Sequence, residues 1–258
     1  MKVADICRII EDFAALDKQE SYDNSGLQVG DPQAEVKAVM ICLDITENVI
    51  DEAIAKGCNM VVSHHPLLFR GLKQITGRTA VERSVIKALQ SGVALYSGHT
   101  NVDSVQQGVS AKMCEKLGLR SLGFLSAKSE DAGLGMIGEF DEPMSEDDFL
   151  ALVKQRFVCG ALRHSAKTGK TIKRVALCGG SGAEFLSTAI AAQADAYLTA
   201  DLKYHDFSAP EGRLLLVDAG HFETEQYTKE IFYDLLSKNI ATFALQISQT
   251  ERNPVCYF

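Results

Sequence analysis

Several absences narrow the reading of this chain before any motif is considered. No run of lysine and arginine occurs, and 26 basic residues against 34 acidic ones leave a formal charge of −8. A negative whole-chain field steers phosphate backbones away unless basic groups cluster locally, which argues against a general polyanion binder. The start, Met1 to Asp12, carries acidic residues, and no long uninterrupted apolar stretch follows. Neither a signal peptide nor a transmembrane span is therefore expected, and the expected location is cytoplasmic. The seven cysteines are scattered, odd in number and never spaced C-x-x-C, which predicts reduced thiols beside apolar runs instead of a disulfide framework. There is no repeat of fixed period and no low-complexity linker. What is present is an ordinary globular balance, 46% hydrophobic and 23% charged, enough to bury a core.

The hydrophobic pattern alternates between two periods. Val3, Ile6, Ile9, Ile10, Phe13 and Leu16 recur at helical spacing. Short branched runs at Val36–Leu43, Asn59–Ser63 and Val93–Ser97 read as strands, separated by helical patterns at Thr46–Lys56 and Thr79–Gln90 and followed by one at Ser104–Leu117. Strand, helix and strand in repetition predict parallel βαβ units. After a change of pattern, strands at Leu134–Phe140, Ile172–Cys178, Ala196–Thr199, Leu214–Val217 and Ala241–Ile247 alternate with helices from Ser145, after Gly182 and at Glu223–Leu236. The expected fold is α/β with two lobes, residues 1–125 and 126–258, sharing a cleft, and ligands in such sheets sit beyond the strand C-termini.

Three strand exits carry the chemistry. Ser63-His64-His65-Pro66 ends one strand, and the turning backbone there lets both imidazoles reach a single centre; exposed turn histidines are the plain alternative. Tyr96-Ser97-Gly98-His99-Thr100-Asn101-Val102-Asp103 leaves a second strand, and Asp218-Ala219-Gly220-His221-Phe222-Glu223-Thr224-Glu225 leaves a third. His221 and Glu225 are four apart and share a face if a helix starts there. Imidazoles with carboxylates suit two divalent ions such as Zn, Mn, Fe, Co or Ni, with coordination positions left for water.

With these motifs in order, Ser21-Tyr-Asp-Asn-Ser-Gly-Leu-Gln-Val-Gly30, Ser63–Pro66, Gly98–Asp103, Asp195–His205 and Gly220–Glu225, the sequence resembles the GTP cyclohydrolase 1 type 2 homologues, also called NIF-three-like proteins. Tyr22 stands where that family often has Trp. The resemblance implies two α/β lobes with a dinuclear metal site in the cleft between them, ligated by His64, His65, Asp103, His221 and Glu225. It implies a toroidal homohexamer, and by the family name a hydrolytic opening of the GTP imidazole ring with loss of formate.

Other residues carry weaker expectations. Asp23 and Asn24 are candidate substrate contacts, or turn residues. Gly180 and Ser181, in Gly179-Gly180-Ser181-Gly182, are candidates for cradling a phosphate, although the run lacks a Walker ending and also suits a tight turn. His205 and His99 are candidate catalytic groups, as proton shuttle or positioning histidine. A nucleotide hydrolase is the leading expectation. A metal-binding scaffold or regulatory interaction protein is the alternative, and a two-metal phosphoesterase or nuclease using Lys167, Lys170, Lys173 and Arg174 ranks below both.

Overall fold

The computed structural model describes residues 1–240 and 244–258. In chain order the elements are α1 (Val3–Phe13), β1 (Gly26–Val29), β2 (Ala38–Cys42), α2 (Glu47–Ala55), β3 (Met60–Ser63), α3 (Ala80–Ser91), β4 (Ala94–Ser97) and the one-turn α4 (Thr100–Asp103). There follow α5 (Val109–Leu117), β5 (Arg120–Ala127), β6 (Gly133–Met144), α6 (Glu146–Arg156), β7 (Arg163–His164), β8 (Ile172–Ser181), α7 (Leu186–Ala191), β9 (Ala196–Ala200), β10 (Leu215–Asp218) and α8 (His221–Glu225). The chain closes with α9 (Thr228–Asn239) and β11 (Ala244–Ile247). Of the strand expected at Ala241–Ile247, the positions 241–243 lie outside the described residues. Among the described residues, no helix is long and apolar enough to cross a membrane.

Two compact units result. One comprises Met1–Val102 with Thr228–Arg252, the other Asp103–Tyr227 with Asn253–Phe258. The division therefore falls at Val102, not near residue 125, and the first unit reclaims a C-terminal segment. The physical reason is β11, which pairs in parallel with β2 across the whole intervening sequence.

The first unit holds a five-stranded sheet, β1-β4-β3-β2-β11, parallel except for β1 against β4. Met40, Cys42, Val61 and Leu95 pack on one side with Val49, Ile50, Val85 and Ala88 from α2 and α3. Val61 and Ile50 are fully buried, each worth roughly 1.5–3 kcal/mol. Burial on both faces explains why these strands read as continuous apolar runs.

The second unit holds a six-stranded sheet, β5-β6-β8-β9-β10-β7, in which only β8, β9 and β10 run parallel. One face packs Met113, Leu117, Phe149, Val153 and Phe157 from α5, α6 and the turn after α6, and the other packs Leu186 and Ala189 from α7. Six of the seven cysteines are buried and all are free thiols, as their apolar neighbours predicted.

Local chemistry sets the helix ends. Thr79 caps α3 by accepting from the Glu82 N–H at 3.2 Å, and Gly92 ends it at φ +64°. Glu82 in turn accepts from the Thr76 N–H (2.8 Å), the Thr76 hydroxyl (2.9 Å) and the Arg78 N–H (3.1 Å). These donors, the Thr76 amide foremost, lower its carboxyl from 4.5 to about 2. The folded state thus favours the ionised form, a contribution present above pH 4.5 and lost as pH falls toward 2. Glu82→Gln is expected to lower the melting temperature at pH 7, and the gap to the parent should narrow at pH 3 when both are followed by circular dichroism.

Candidate metal centre

In the first unit three parallel strands end in step. Cys42 of β2 pairs with Ser63 of β3, and Ser63 with Ser97 of β4. Asp44, His65 and His99 each stand two residues beyond that row, so the C-terminal edge of the sheet presents them side by side. The Ser63 and Ser97 hydroxyls, 2.7 Å apart and fully buried, both donate to the His65 carbonyl, at 2.8 and 3.2 Å. That pins the turn from which the histidines project.

The rings of His64, His65 and His99 converge, with centroids 5.0, 5.2 and 5.5 Å apart. One nitrogen from each lies within 4.8 Å of the others, close enough to serve a common ion. Each ring is held through Nδ1, by the Gly98 carbonyl for His64 (2.9 Å), Asp44 Oδ1 for His65 (2.8 Å) and Asp23 Oδ1 for His99 (2.7 Å). A neutral imidazole that donates from Nδ1 directs its Nε2 lone pair outward, the orientation that metal-ligating histidines receive from such partners.

Asp23 is thereby placed. Its side chain is buried and accepts from His99, from the Thr100 hydroxyl at 2.5 Å and from the Thr100 N–H at 3.0 Å. Burial alone would raise its carboxyl, yet these donors hold it well below the usual carboxylate range. Asp23, a candidate substrate contact or turn residue, is a carboxylate that orients His99. Asn24 instead donates to the Leu68 carbonyl at 2.7 Å.

The second unit repeats the device. Thr199 of β9 pairs with Asp218 of β10, so Asp201 and the Gly220–His221 turn leave the same edge of the sheet. His221 opens α8, with Nδ1 at 2.8 Å from Asp201 Oδ2 and Nε2 at 2.9 Å from the buried Glu225. Asp201 adopts φ +57°, a left-handed conformation rare outside glycine, just where it braces His221. Burial pulls the His221 pKa down, but the two carboxylates outweigh it and the group is pushed up to about 11. Protonation at Nε2 and ligation of an ion there exclude one another, so an ion held by His221 would have to displace that proton. Asp103, at the end of α4, and Glu225 both raise the thiol of the buried Cys178, after burial itself.

Gly180, a candidate for cradling a phosphate, is packed against the second unit's candidate ligands. Its N–H donates to Thr224 Oγ1 at 3.0 Å, and its carbonyl accepts from Thr199 Oγ1 at 3.0 Å. A Cβ there would come within 3.0 Å of the Glu225 carboxyl carbon and 3.1 Å of His221 Cε1. Gly180 and Ser181 belong to β8, and Gly182 is followed by a three-residue 3₁₀ turn. The glycine makes room for a carboxylate, which disfavours an anion at that spot. His205 lies on the 3₁₀ turn Tyr204–Ser208 against the exposed Tyr204 ring and, among the described residues, joins no group of three potential ligands. Lys167 is paired with Asp147 and Arg174 with Glu139, which spends part of the basic stretch considered for nucleic acid.

Comparison with known proteins resolves the kinship. The family model for Duf34/NIF3 (NGG1p interacting factor 3) matches residues 1–254. The chain belongs to the Duf34/NIF3 family. Within the curated proteins it is 39% identical over 229 residues to a GTP cyclohydrolase 1 type 2 homolog of Clostridium acetobutylicum, covering 87% of this chain and 85% of that one. A homolog of the same name from Campylobacter jejuni is 33% identical over 261 residues, covering both chains fully. A Staphylococcus aureus hypothetical protein of known crystal structure superposes with a TM-score of 0.93 at 26% identity, covering 100% of this chain and 99% of that one.

Residues that sequence reasoning missed include Asp44 and Asp201, the carboxylates behind His65 and His221. Glu251 is another: its Oε1 accepts from the Leu43 and Asp44 N–H groups, both at 2.7 Å, and so fixes the backbone that carries Asp44. A carboxylate immediately after a predicted strand was the available signal for Asp44, and nothing in the local sequence announces Glu251.

Proposed function

We propose that this Duf34/NIF3 protein is a divalent-metal-dependent hydrolase of a nucleotide or related heterocycle, with a dinuclear centre held by His64, His65, Asp103, His221 and Glu225. The observation that carries this reading is the repeated bracing of edge histidines through Nδ1, by Asp44, Asp23 and the Gly98 carbonyl in one unit and by Asp201 in the other. Such bracing costs side-chain entropy and suits imidazoles that must present Nε2 to an ion. The donor set fits borderline divalent ions, since nitrogen and carboxylate oxygen are supplied and no cysteine belongs to it. His99 precedes the single turn of α4 and Asp103 ends it, and within that turn the chain passes from the first unit to the second.

Two divalent ions would supply Lewis acidity and a water-derived nucleophile near neutral pH. The chain's own residues do the rest. Asp44 and Asp201 keep protons on Nδ1 and fix the rings, and the buried Glu225 supplies negative charge that balances cations where water is scarce. The names of the curated relatives and the resemblance of the motifs both support GTP as the first substrate to test. Purified protein reloaded with Mn, Fe, Co, Ni or Zn is expected to release formate from GTP, or to hydrolyse another nucleotide in a panel. A fully metal-loaded protein that leaves the whole panel untouched would remove the hydrolase reading and favour the scaffold.

A further inference from the structure

Beside the His64, His65 and His99 group stands an aromatic pair that the chemistry above does not use. Tyr22 is 64% exposed and Phe69 43% exposed. Their rings meet edge to face with centroids 6.4 Å apart, and Phe69 meets His99 edge to face at 6.1 Å. The pair is firmly built. The N–H of Leu68 donates to Gln28 Oε1 at 3.0 Å, its carbonyl accepts from Asn24 Nδ2 at 2.7 Å, and Gln28 Nε2 returns to the Asn24 carbonyl at 2.6 Å. The backbone on the other side is tied down by Asp23, which grips His99 and Thr100. Tyr22 and Phe69 are thus displayed by segments locked on both sides, and a preorganised surface binds without paying for its own ordering.

We propose that Tyr22 and Phe69 form a stacking platform that holds the planar ring of the substrate, a purine or comparable heterocycle, next to His99. This deepens the hydrolase reading and rests on it. Aromatic faces stack on every base, and the contact is tolerant of sequence and substituent. The exposed Arg70, next to Phe69, and the exposed Lys73, four residues after it, place positive charge on the same segment of a chain whose net charge is −8, which suits a phosphorylated ligand. A second copy of the chain seated on this patch would instead cover the edge histidines and shut out water. Asn24 and Gln28 become positioning residues for the platform.

The chain has no tryptophan, so Tyr22→Trp introduces a single indole reporter. In metal-loaded Tyr22→Trp protein, GMP and AMP are expected to quench that fluorescence saturably, while ribose 5-phosphate does not at the same concentrations. Adding Phe69→Ala should weaken the GMP midpoint about tenfold, with metal content by elemental analysis unchanged. No quenching by either nucleotide at full metal content, equal quenching by ribose 5-phosphate, or an unchanged midpoint in Phe69→Ala would each overturn the platform. So would a blue shift that grows with protein concentration and abolishes nucleotide binding, because it would show another copy covering the rings. Saturable nucleotide quenching in fully metal-loaded protein that turns over no nucleotide would support the platform and count against the hydrolase reading alone.

Discussion

Bound metal should collapse when either half of the centre loses a ligand. Gently purified protein is expected to carry about two divalent ions per chain, and His65→Ala or Glu225→Ala to lower affinity by more than about 100-fold. His65 is the better choice in the first unit, because it is half-buried whereas His64 is fully buried and its removal would leave a cavity. Glu225→Gln keeps the volume and removes the charge, which separates ligation from packing. Asp44→Ala and Asp201→Ala supply a graded control. They leave every ligand in place but release the Nδ1 protons of His65 and His221, and a loss of 10–100-fold is expected. Elemental analysis, with thermal melts to confirm folding, reads the whole series. Metal content unchanged across all of these variants would sink the ligand assignment, and a graded loss in the order ligand, then bracing carboxylate, would establish it.

The contrast between what the sequence disclosed and what it concealed has a physical basis. Parallel strands bury both faces, so β2, β3, β4, β8, β9 and β10 announce themselves as short apolar runs, and the ends of those runs mark the sheet edge where ligands gather. His64 and His65 at the exit of β3, and His221 with Glu225 at the exit of β10, stand out as candidates for that reason. Strands with polar or exposed residues were not. β1 lies inside the Ser21–Gly30 motif, and much of β5 is exposed along its length, so neither shows a buried pattern. The unit boundary was hidden because β11 finds its partner β2 about 200 residues earlier, a pairing that no local periodicity records. The pattern at Ser104–Leu117 contains only α5, with the one-turn α4 just before it, and that at Glu223–Leu236 resolves into α8 and α9, because each short leading helix sits at a strand exit. Side-chain roles set by distant partners were the least readable. Asp23 reaches His99 across 76 positions, and Asp201 reaches His221 across 20. His99 itself joins the other two imidazoles, a closer association than the shuttle or positioning role expected of it.

The glycine run shows how one residue type supports opposite readings, and it yields the sharpest test of the second half-site. From sequence, Gly179-Gly180-Ser181-Gly182 suits either an anion cradle or a tight turn. In the fold, Gly180 stands at φ +59°, and the space its missing Cβ leaves is filled by Glu225 and His221. Gly180→Ala therefore meets two costs at once. The left-handed backbone costs about 1–2 kcal/mol for an alanine, and the methyl group must displace a buried carboxylate held between His221 and the strand. The expected result is a lower melting temperature together with a metal content reduced toward one ion per chain. Thr224→Val removes the hydroxyl that accepts from the Gly180 N–H and donates to the Gly220 and His221 carbonyls but leaves the Cβ space and Glu225 untouched, so it should cost stability with less effect on metal than Gly180→Ala. If the cradle reading were right instead, Gly180→Ala would spare both ions and weaken only the binding of inorganic phosphate or a nucleotide. Parallel elemental analysis and phosphate titration of the two variants decide between a glycine that admits an acid and one that admits an anion.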